Sequence, residues 1–434
     1  MNNTQNPLIT HIYAVATKNN LKVEKVAHIL ADSFKQVYLK EFPSNHIQVE
    51  VNLNIGQITM WRYLKIVSDQ FYFNEGDEDD ETLIPWSKAE KIAQRNKITI
   101  QLNDFLRERV DIDQFDKKFV RSILSIFNQL IIETVNRMTC DKWIKYKNQV
   151  IWGKVEKIDI VNNKDLRGAV VVLHNDEGET TQAYITKHEM IQTTDRFGNK
   201  IIEKLEPNQT YLFYIKDVHE YTSGWPVNLT RTSPEIVRKL MTDNISEISD
   251  GTVEIKAIAR IAGQKSKVAV WSNTQSVDPV GACIGPGGKK IKQISNQLLN
   301  EKIDVIEWSD DPIKLAVNCA IPGKILGYSM LDNKDIIFIT DPASYLSLIG
   351  KKGTNIKLIS SLTGWNIDVK TVVEAREEDI DYQLVDENLY SSYTSLSERI
   401  FHKHQQGYSQ LLDEFQRSQQ SDSNHDFDDE DDQY

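Results

Sequence analysis

The chain has 434 residues, 40% of them hydrophobic and 26% charged, which is enough apolar content for about three domains with real cores. Its net charge of −12 argues against a nucleic-acid partner only until its distribution is read: residues 371–434 hold 17 acids and 4 bases, leaving the rest at +1. With no window near about 18 uninterrupted apolar residues, no leader-like start, and three cysteines without metal-ligand spacing, neither a membrane span nor export is expected, and the reading is a cytoplasmic protein with reduced thiols.

In chain order, Val23, Val26, Leu30, Phe34 and Val37 share one face of a helix over Leu21–Glu41. Ile47, Val49, Val51, Leu53 and Ile55 then alternate with polar residues, Gly56 turns the chain, and Ile58–Val67 returns as the hairpin partner. The acidic run Glu75–Glu81 lacks the turn geometry of a metal loop and reads as a solvated loop. Ile98–Leu102 reads as a short strand, and a long helix follows from Phe119 towards Lys147, with Ile123, Phe127, Leu130 and Met138 on its apolar stripe. Residues 1–146 form an α+β domain with a long connecting helix. It contains no H-E-x-x-H, nucleophile motif or paired-aspartate pattern, so no enzyme is expected.

From residue 147 to 232 the texture changes to strands and turns: Val150–Val161, Ala169–Asn175, Thr180–Thr186, Tyr211–Glu220 and Val227–Arg231. Turn signals stand at Asn162-Asn163, Asp176-Glu177-Gly178 and Gly198-Asn199. Five such strands fit a barrel of OB type, a fold that binds single strands through exposed aromatics beside basic groups. Trp152, Tyr184 and Trp225 are the candidate platforms, with Lys154 and Arg231 nearby; aromatics also fill small cores, and that alternative stays open.

The next 140 residues carry an internal repeat. Both copies read I-G-x-x-G-x-x-I-K-x-I-S: Ile284, Gly285, Gly288, Ile291, Lys292, Ile294 and Ser295, then Ile349, Gly350, Gly353, Ile356, Lys357, Ile359 and Ser360. An Asp-Pro precedes each, Asp278-Pro279 and Asp341-Pro342, and predicts a capped helix with proline at its first position. That helix ends at the first glycine, and a second helix starts at the other. Its free N–H groups and partial positive charge suit a phosphate. The loop residues Pro286 and Gly287 in the first copy match Lys351 and Lys352 in the second. Lys289, Lys290 and Lys292 add charge to the first copy, and Lys357 to the second. A helix–GxxG–helix with a basic loop is the backbone clamp of the KH module. Neither a P-loop nor a G-x-G-x-x-G motif fits, because Lys290 stands where each needs another residue.

Around the loops, strands are expected at Thr252–Arg260, Lys267–Trp271 and Ile303–Glu307. The second unit adds a helix from Asp311 to Ala320, strands at Ile325–Leu331 and Asp335–Thr340 around the turn Asp332-Asn333, and a strand at Asn366–Thr371. The order is α-β-β-α-α-β in two modules, 233–310 and 311–374, with almost no linker, so a rigid tandem is expected. Residues 375–434, rich in Ser, Gln and Asp, read as a disordered acidic tail.

Several stretches of the sequence resemble the NusA family of bacterial transcription factors. They are D-G-T-V-E-I-K-A-I-A-R from Asp250, S-V-D-P-V-G-A-C-I-G-P-G-G-K-K-I through the first loop, E-K-I-D-V-I-E-W-S-D-D-P from Glu301, L-T-G-W-N-I-D-V from Leu362 and N-L-T-R-T-S-P from Asn228. The resemblance implies a non-catalytic, monomeric factor without cofactor. Its N-terminal domain would dock on RNA polymerase, and its barrel and two KH modules would follow nascent single-stranded RNA. Such a factor modulates pausing, termination and antitermination, with other antitermination factors as further partners. The modules alone leave open a protein of ribosome assembly or translation, or the substrate arms of an RNA-processing enzyme.

Overall fold

The computed structural model describes residues 7–43, 46–75, 82–112, 115–162, 165–195, 197–220, 224–331 and 334–386. The acidic run at 76–81, the turn residues Asn163, Asp332 and Asn333, and the tail from 387 lie outside them. Contacts divide the chain into two compact units: Met1–Ile185 with Pro207–Tyr211 and Ile215–Leu229, and Thr186–Glu206 with Leu212–Tyr214 and Thr230–Tyr434.

The N-terminal domain opens with α1 (Pro7–Lys18), a helix that buries Ile12 and Ala16 and for which the sequence pattern gave no expectation. Helix α2 (Val23–Glu41) buries Val26, Leu30, Phe34 and Val37, as the periodicity predicts. Strands β1 (His46–Asn52) and β2 (Gln57–Val67) pair antiparallel from His46↔Tyr63 to Asn52↔Gln57. The short strand β3 (Leu83–Pro85) pairs parallel with the end of β2, and α3 (Trp86–Asn96) follows.

The strand expected at Ile98–Leu102 is not there. The strand is β4 (Phe105–Val110), on the other edge of β2, and Ile98 and Leu102 are 48% and 52% exposed in the connecting loop. Lys97 ends α3 in a left-handed conformation, so the apolar pair after it is spent on a turn.

Helix α4 (Lys117–Trp143) is capped by Asp116, whose carboxylate accepts from the Phe119 amide at 2.7 Å. Its buried stripe advances by fours through Phe119, Ile123, Phe127 and Ile131. Met138, expected on that stripe, is 41% exposed, because the helix has left the N-terminal core by then. Its last turns instead meet residues of the barrel segment through ion pairs, Lys142 with Glu179 at 2.5 Å and Arg137 with Glu220 at 3.3 Å. Lys147, just beyond the helix, pairs with Asp217 at 2.9 Å.

The five expected strands form a closed barrel. They are β5 (Val150–Val161), β6 (Asp165–His174), β7 (Thr180–Thr186), β10 (Thr210–Val218) and β11 (Val227–Thr230), in the order β10-β11-β7-β6-β5. Between β7 and β10 the chain makes a small hairpin, β8 (Gln192–Thr194) with β9 (Lys200–Ile202), whose tip is the Gly198-Asn199 turn signal.

The two modules follow the α-β-β-α-α-β order. The first has α5 (Pro234–Asn244), the single turn α6 (Ser246–Ser249), β12 (Val253–Ile261), β13 (Lys265–Ser272), α7 (Pro279–Ile284), α8 (Lys289–Asn296) and β14 (Lys302–Glu307). In its sheet β12 and β13 are antiparallel and β13 and β14 parallel. The second repeats the plan with α9 (Pro312–Ala320), β15 (Ile325–Met330), β16 (Asp335–Thr340), α10 (Pro342–Ile349), α11 (Thr354–Thr363) and β17 (Asn366–Thr371). It then runs past residue 374. A capping box at Thr371 and Glu374 starts α12 (Val372–Glu377), and β18 (Gln383–Leu384) pairs with the free edge of β15.

The two modules share one core. Ala259, Ala269 and Ile306 of the first lie in a single buried cluster with Leu315, Ala316, Ile336, Phe338, Leu358 and Ile359 of the second. At about 1.5–3 kcal/mol for each large side chain removed from water, opening that seam is prohibitive.

Candidate nucleic-acid interface

The two glycine loops have nearly one backbone. Gly285 and Gly350 sit at φ 72°, ψ 172° and φ 73°, ψ 171°, a region in which a Cβ is strained. Gly288 and Gly353 cap the second helices at φ 73°, ψ 15° and φ 73°, ψ 14°. Between them Gly287 (φ 61°) matches Lys352 (φ 56°), so the second loop holds a lysine in the left-handed region. Each loop is closed by the same bond, Gly288 N–H to Gly285 carbonyl and Gly353 N–H to Gly350 carbonyl, both 3.1 Å. The Asp-Pro starts behave as predicted: Asp278 accepts from Val280 and Asp341 from Ser344, and the Ser344 contacts hold the Asp341 carboxyl below its ordinary range.

Such a loop can hold a phosphodiester. The α8 and α11 amides left without intrahelical carbonyls open beside it, and a Cβ built on Gly287 or Gly288 would meet nothing within 4 Å. Pro286, Gly287, Lys289 and Lys292 are exposed around the first loop, and Lys351, Lys352 and Lys357 around the second. The Lys357 chain passes 4.0 Å from a Cβ built on Gly353, which places this cation over the second cradle.

Lys290 does not project into solvent. Its ammonium donates to Glu247 at 2.8 Å and to the Ala282 carbonyl at 2.9 Å, tying the loop back to α6 and to the end of α7. The hydrogen bond from Lys290 is also the leading reason that the Glu247 carboxyl titrates below its ordinary range. Arg231 is 3% exposed. Its guanidinium donates to Glu203 at 2.8 and 3.0 Å, to the Leu212 carbonyl at 2.7 Å and to the Gln297 carbonyl at 3.2 Å, so it joins the hairpin segment to the first module and offers no free charge to a ligand. Beside it Arg260 and Glu301, both fully buried side chains, form a second pair at 3.0 Å. The sequence placed Arg231 at the exit of the barrel but gave no sign of these partners, which come from distant segments.

Trp152 is 47% exposed on β5 and remains open for stacking. Tyr184 and Trp225 are half-buried, stack on each other with parallel rings 6.3 Å apart, and the Tyr184 hydroxyl donates to Asp159 at 2.7 Å. Burial first, then that bond, push the Tyr184 hydroxyl up to about 12. These two rings support each other more than they face solvent. Among the described residues no group of three or more His, Cys, Asp or Glu side chains could hold a metal ion, and no helix is long and apolar enough to cross a membrane.

One position was missed altogether. Aligning the repeats sets Asn355 opposite Lys290. Asn355 is buried and its amide donates to the Ser347 and Leu348 carbonyls, both at 3.1 Å, which closes α10 as Lys290 closes α7. The repeat frame could have revealed it, since both side chains fall two residues after the second glycine.

Comparison with known proteins follows this layout. Family models match in three places: a NusA N-terminal domain over residues 7–139, a NusA-like first KH domain over 231–308 and a NusA-like second KH domain over 321–377. A relative from Mycoplasma genitalium named transcription termination/antitermination protein NusA is 36% identical over 387 residues, spanning 88% of this chain and 69% of the relative. A Bacillus subtilis protein of the same name is 28% identical over 356 residues, spanning 82% and 87%.

Proposed function

Because this chain belongs to the NusA family, we propose that it is a non-catalytic RNA-binding factor of transcription termination and antitermination. In this reading the barrel and the two KH modules hold nascent single-stranded RNA while the N-terminal domain engages the core of RNA polymerase. The observation that carries the proposal is the pair of glycine loops, matched in backbone and mounted on one shared core. A fixed spacing between two phosphate cradles favours an extended single strand over a compact ligand. Gly285, Pro286, Gly287, Gly288, Lys289 and Lys292 contact one short run of phosphates, and Gly350, Lys351, Lys352, Gly353 and Lys357 the next. Trp152 offers a stacking face on the barrel. Lys290 and Arg231 act behind this surface by holding its parts.

Two measurements test the reading. The double change Lys351→Asp, Lys352→Asp places four units of charge difference against the backbone and should lower affinity for unstructured RNA about tenfold or more at low salt, with the melting temperature retained. Unchanged affinity would remove the clamp. Separately, immobilised full-length protein should retain core RNA polymerase from a defined mixture; retention of ribosomal subunits alone would move the protein to ribosome assembly or translation.

A further inference from the structure

The second cradle does not rest on its own module alone. Asn355, whose amide closes α10 and whose Cβ lies 2.7 Å from where a Cβ on Gly350 would stand, also accepts a hydrogen bond. Its donor is the Lys265 ammonium of the first module, 3.3 Å away. Lys265 begins β13 and is held in turn by Asp304 of β14 at 2.6 Å. The same carboxylate takes Lys267 at 3.0 Å, and Lys267, 1% exposed as a side chain, donates on to the Cys319 carbonyl of α9 at 2.7 Å. A chain of polar contacts thus leaves the first sheet, crosses the seam at two points and ends directly beneath Gly350. The first cradle is built differently: its Lys290 is tied to Glu247, a residue of its own module.

We propose that Lys265 is a positioning residue of the second RNA clamp: the first KH module sets the conformation of the Gly350–Gly353 loop through the contact from Lys265 to Asn355. The inference rests on the reading of these loops as RNA clamps. The physical reason is the strain in the loop. Gly350 and Lys352 both hold positive φ, conformations that persist only where the surroundings determine them. Asn355 is the side chain packed against Gly350, and its amide orientation is fixed at one end by the α10 carbonyls and at the other by Lys265. Removing the ammonium leaves the amide oxygen of a buried side chain without this donor and frees its rotamer, which loosens the backbone that cradles the phosphate.

The test is a double-mutant comparison in the full chain, with a labelled unstructured RNA as probe. Lys265→Met in the parental background should weaken binding about three- to tenfold, the size of one hydrogen bond. In a chain already carrying Lys351→Ala and Lys352→Ala the same change should weaken it much less, because the clamp that Lys265 positions is already disabled. Lys265→Arg, which keeps a donor, should bind close to the parent. Hydrogen exchange should quicken at Gly350–Lys357 in Lys265→Met and stay unchanged at Gly285–Lys292, a local signature that general loss of stability does not produce. Should Lys265→Met not fold, Lys265→Leu, which likewise has no donor, reads the same cycle. Equal losses in both backgrounds, or no loss in the parental one, overturn the inference. If the Lys351/Lys352 double variant alone leaves affinity intact, the clamp reading itself has failed and the inference with it. If that double variant weakens binding while Lys265→Met does not, only the positioning role is lost.

Discussion

The loops Gly285–Gly288 and Gly350–Gly353 share a backbone and differ in where their charge is placed. The first puts Pro286 and Gly287 at its tip and keeps its cations on the following helix, one of them folded back onto Glu247. The second puts two exposed lysines at the tip itself and closes the loop with a neutral amide that takes its support from the other module. One frame therefore presents two surfaces: a neutral loop tip in the first module and two exposed cations at the tip in the second. The difference teaches that a glycine frame fixes the backbone of the loop, whereas the two residues between its glycines, Pro286 and Gly287 against Lys351 and Lys352, set the charge it presents.

This contrast can be broken most directly by removing charge. Lys351→Ala with Lys352→Ala should cost more RNA affinity at low salt than Lys289→Ala with Lys292→Ala, and should flatten the salt dependence by about 1.4 log units per log unit of salt, the value for two contacts to a single strand. Equal losses from the two double variants, measured by titration at several salt concentrations, would show that both loops grip alike.

A smaller effect separates the supports. Gly350→Ala drives a Cβ against Asn355, 2.7 Å from its Cβ and 2.9 Å from its backbone nitrogen, whereas the Cβ of Gly285→Ala meets the flexible Lys290 chain at 2.8 Å. Both changes strain a positive φ and should destabilise by about 1–3 kcal/mol, with the larger drop in melting temperature for Gly350→Ala. Grafting is the converse. Pro286→Lys with Gly287→Lys should raise RNA affinity several-fold, offset in stability by about 1 kcal/mol for a second lysine at positive φ. A graft that binds no better would mean that the first loop excludes backbone phosphate for reasons other than charge.

The smallest effect concerns Glu247. The pair with Lys290 is about a third exposed on each side, so Glu247→Gln should cost well under about 1 kcal/mol. Because the folded carboxyl titrates below its ordinary value, the contact contributes fully above that value and is lost only as pH falls through the lowered folded one. Melting temperatures of the parent and Glu247→Gln should therefore differ by the same small amount from about pH 6 to 8 and converge only as pH falls below the ordinary carboxylate range. A gap that persists in acid would point to packing instead of charge.

Much of this molecule follows from local pattern. The periodicity of α2, the alternation of β1, the five barrel strands and both Asp-Pro helix starts depend on residues within a few positions of each other, and so did the two cradles, whose glycines announce a required backbone. Errors arose where apolar residues were ambiguous. Ile98 and Leu102 carry strand propensity yet lie exposed beyond a left-handed stop, and Met138 lies on a helix that has already left its core. Propensity has no knowledge of what packs opposite.

By itself, then, the sequence determined the order of the modules, the repeat and the identity of the loops, because helix caps, glycine conformations and period-two alternation act over short range. Only the tertiary structure decided what the charged side chains do. Arg231, Lys290 and Lys265 read alike as cations in the chain, but Glu203, Glu247 and Asn355 lie between 28 and 90 residues away from them. A charge is free to meet RNA or committed to the fold according to partners that short-range pattern cannot supply.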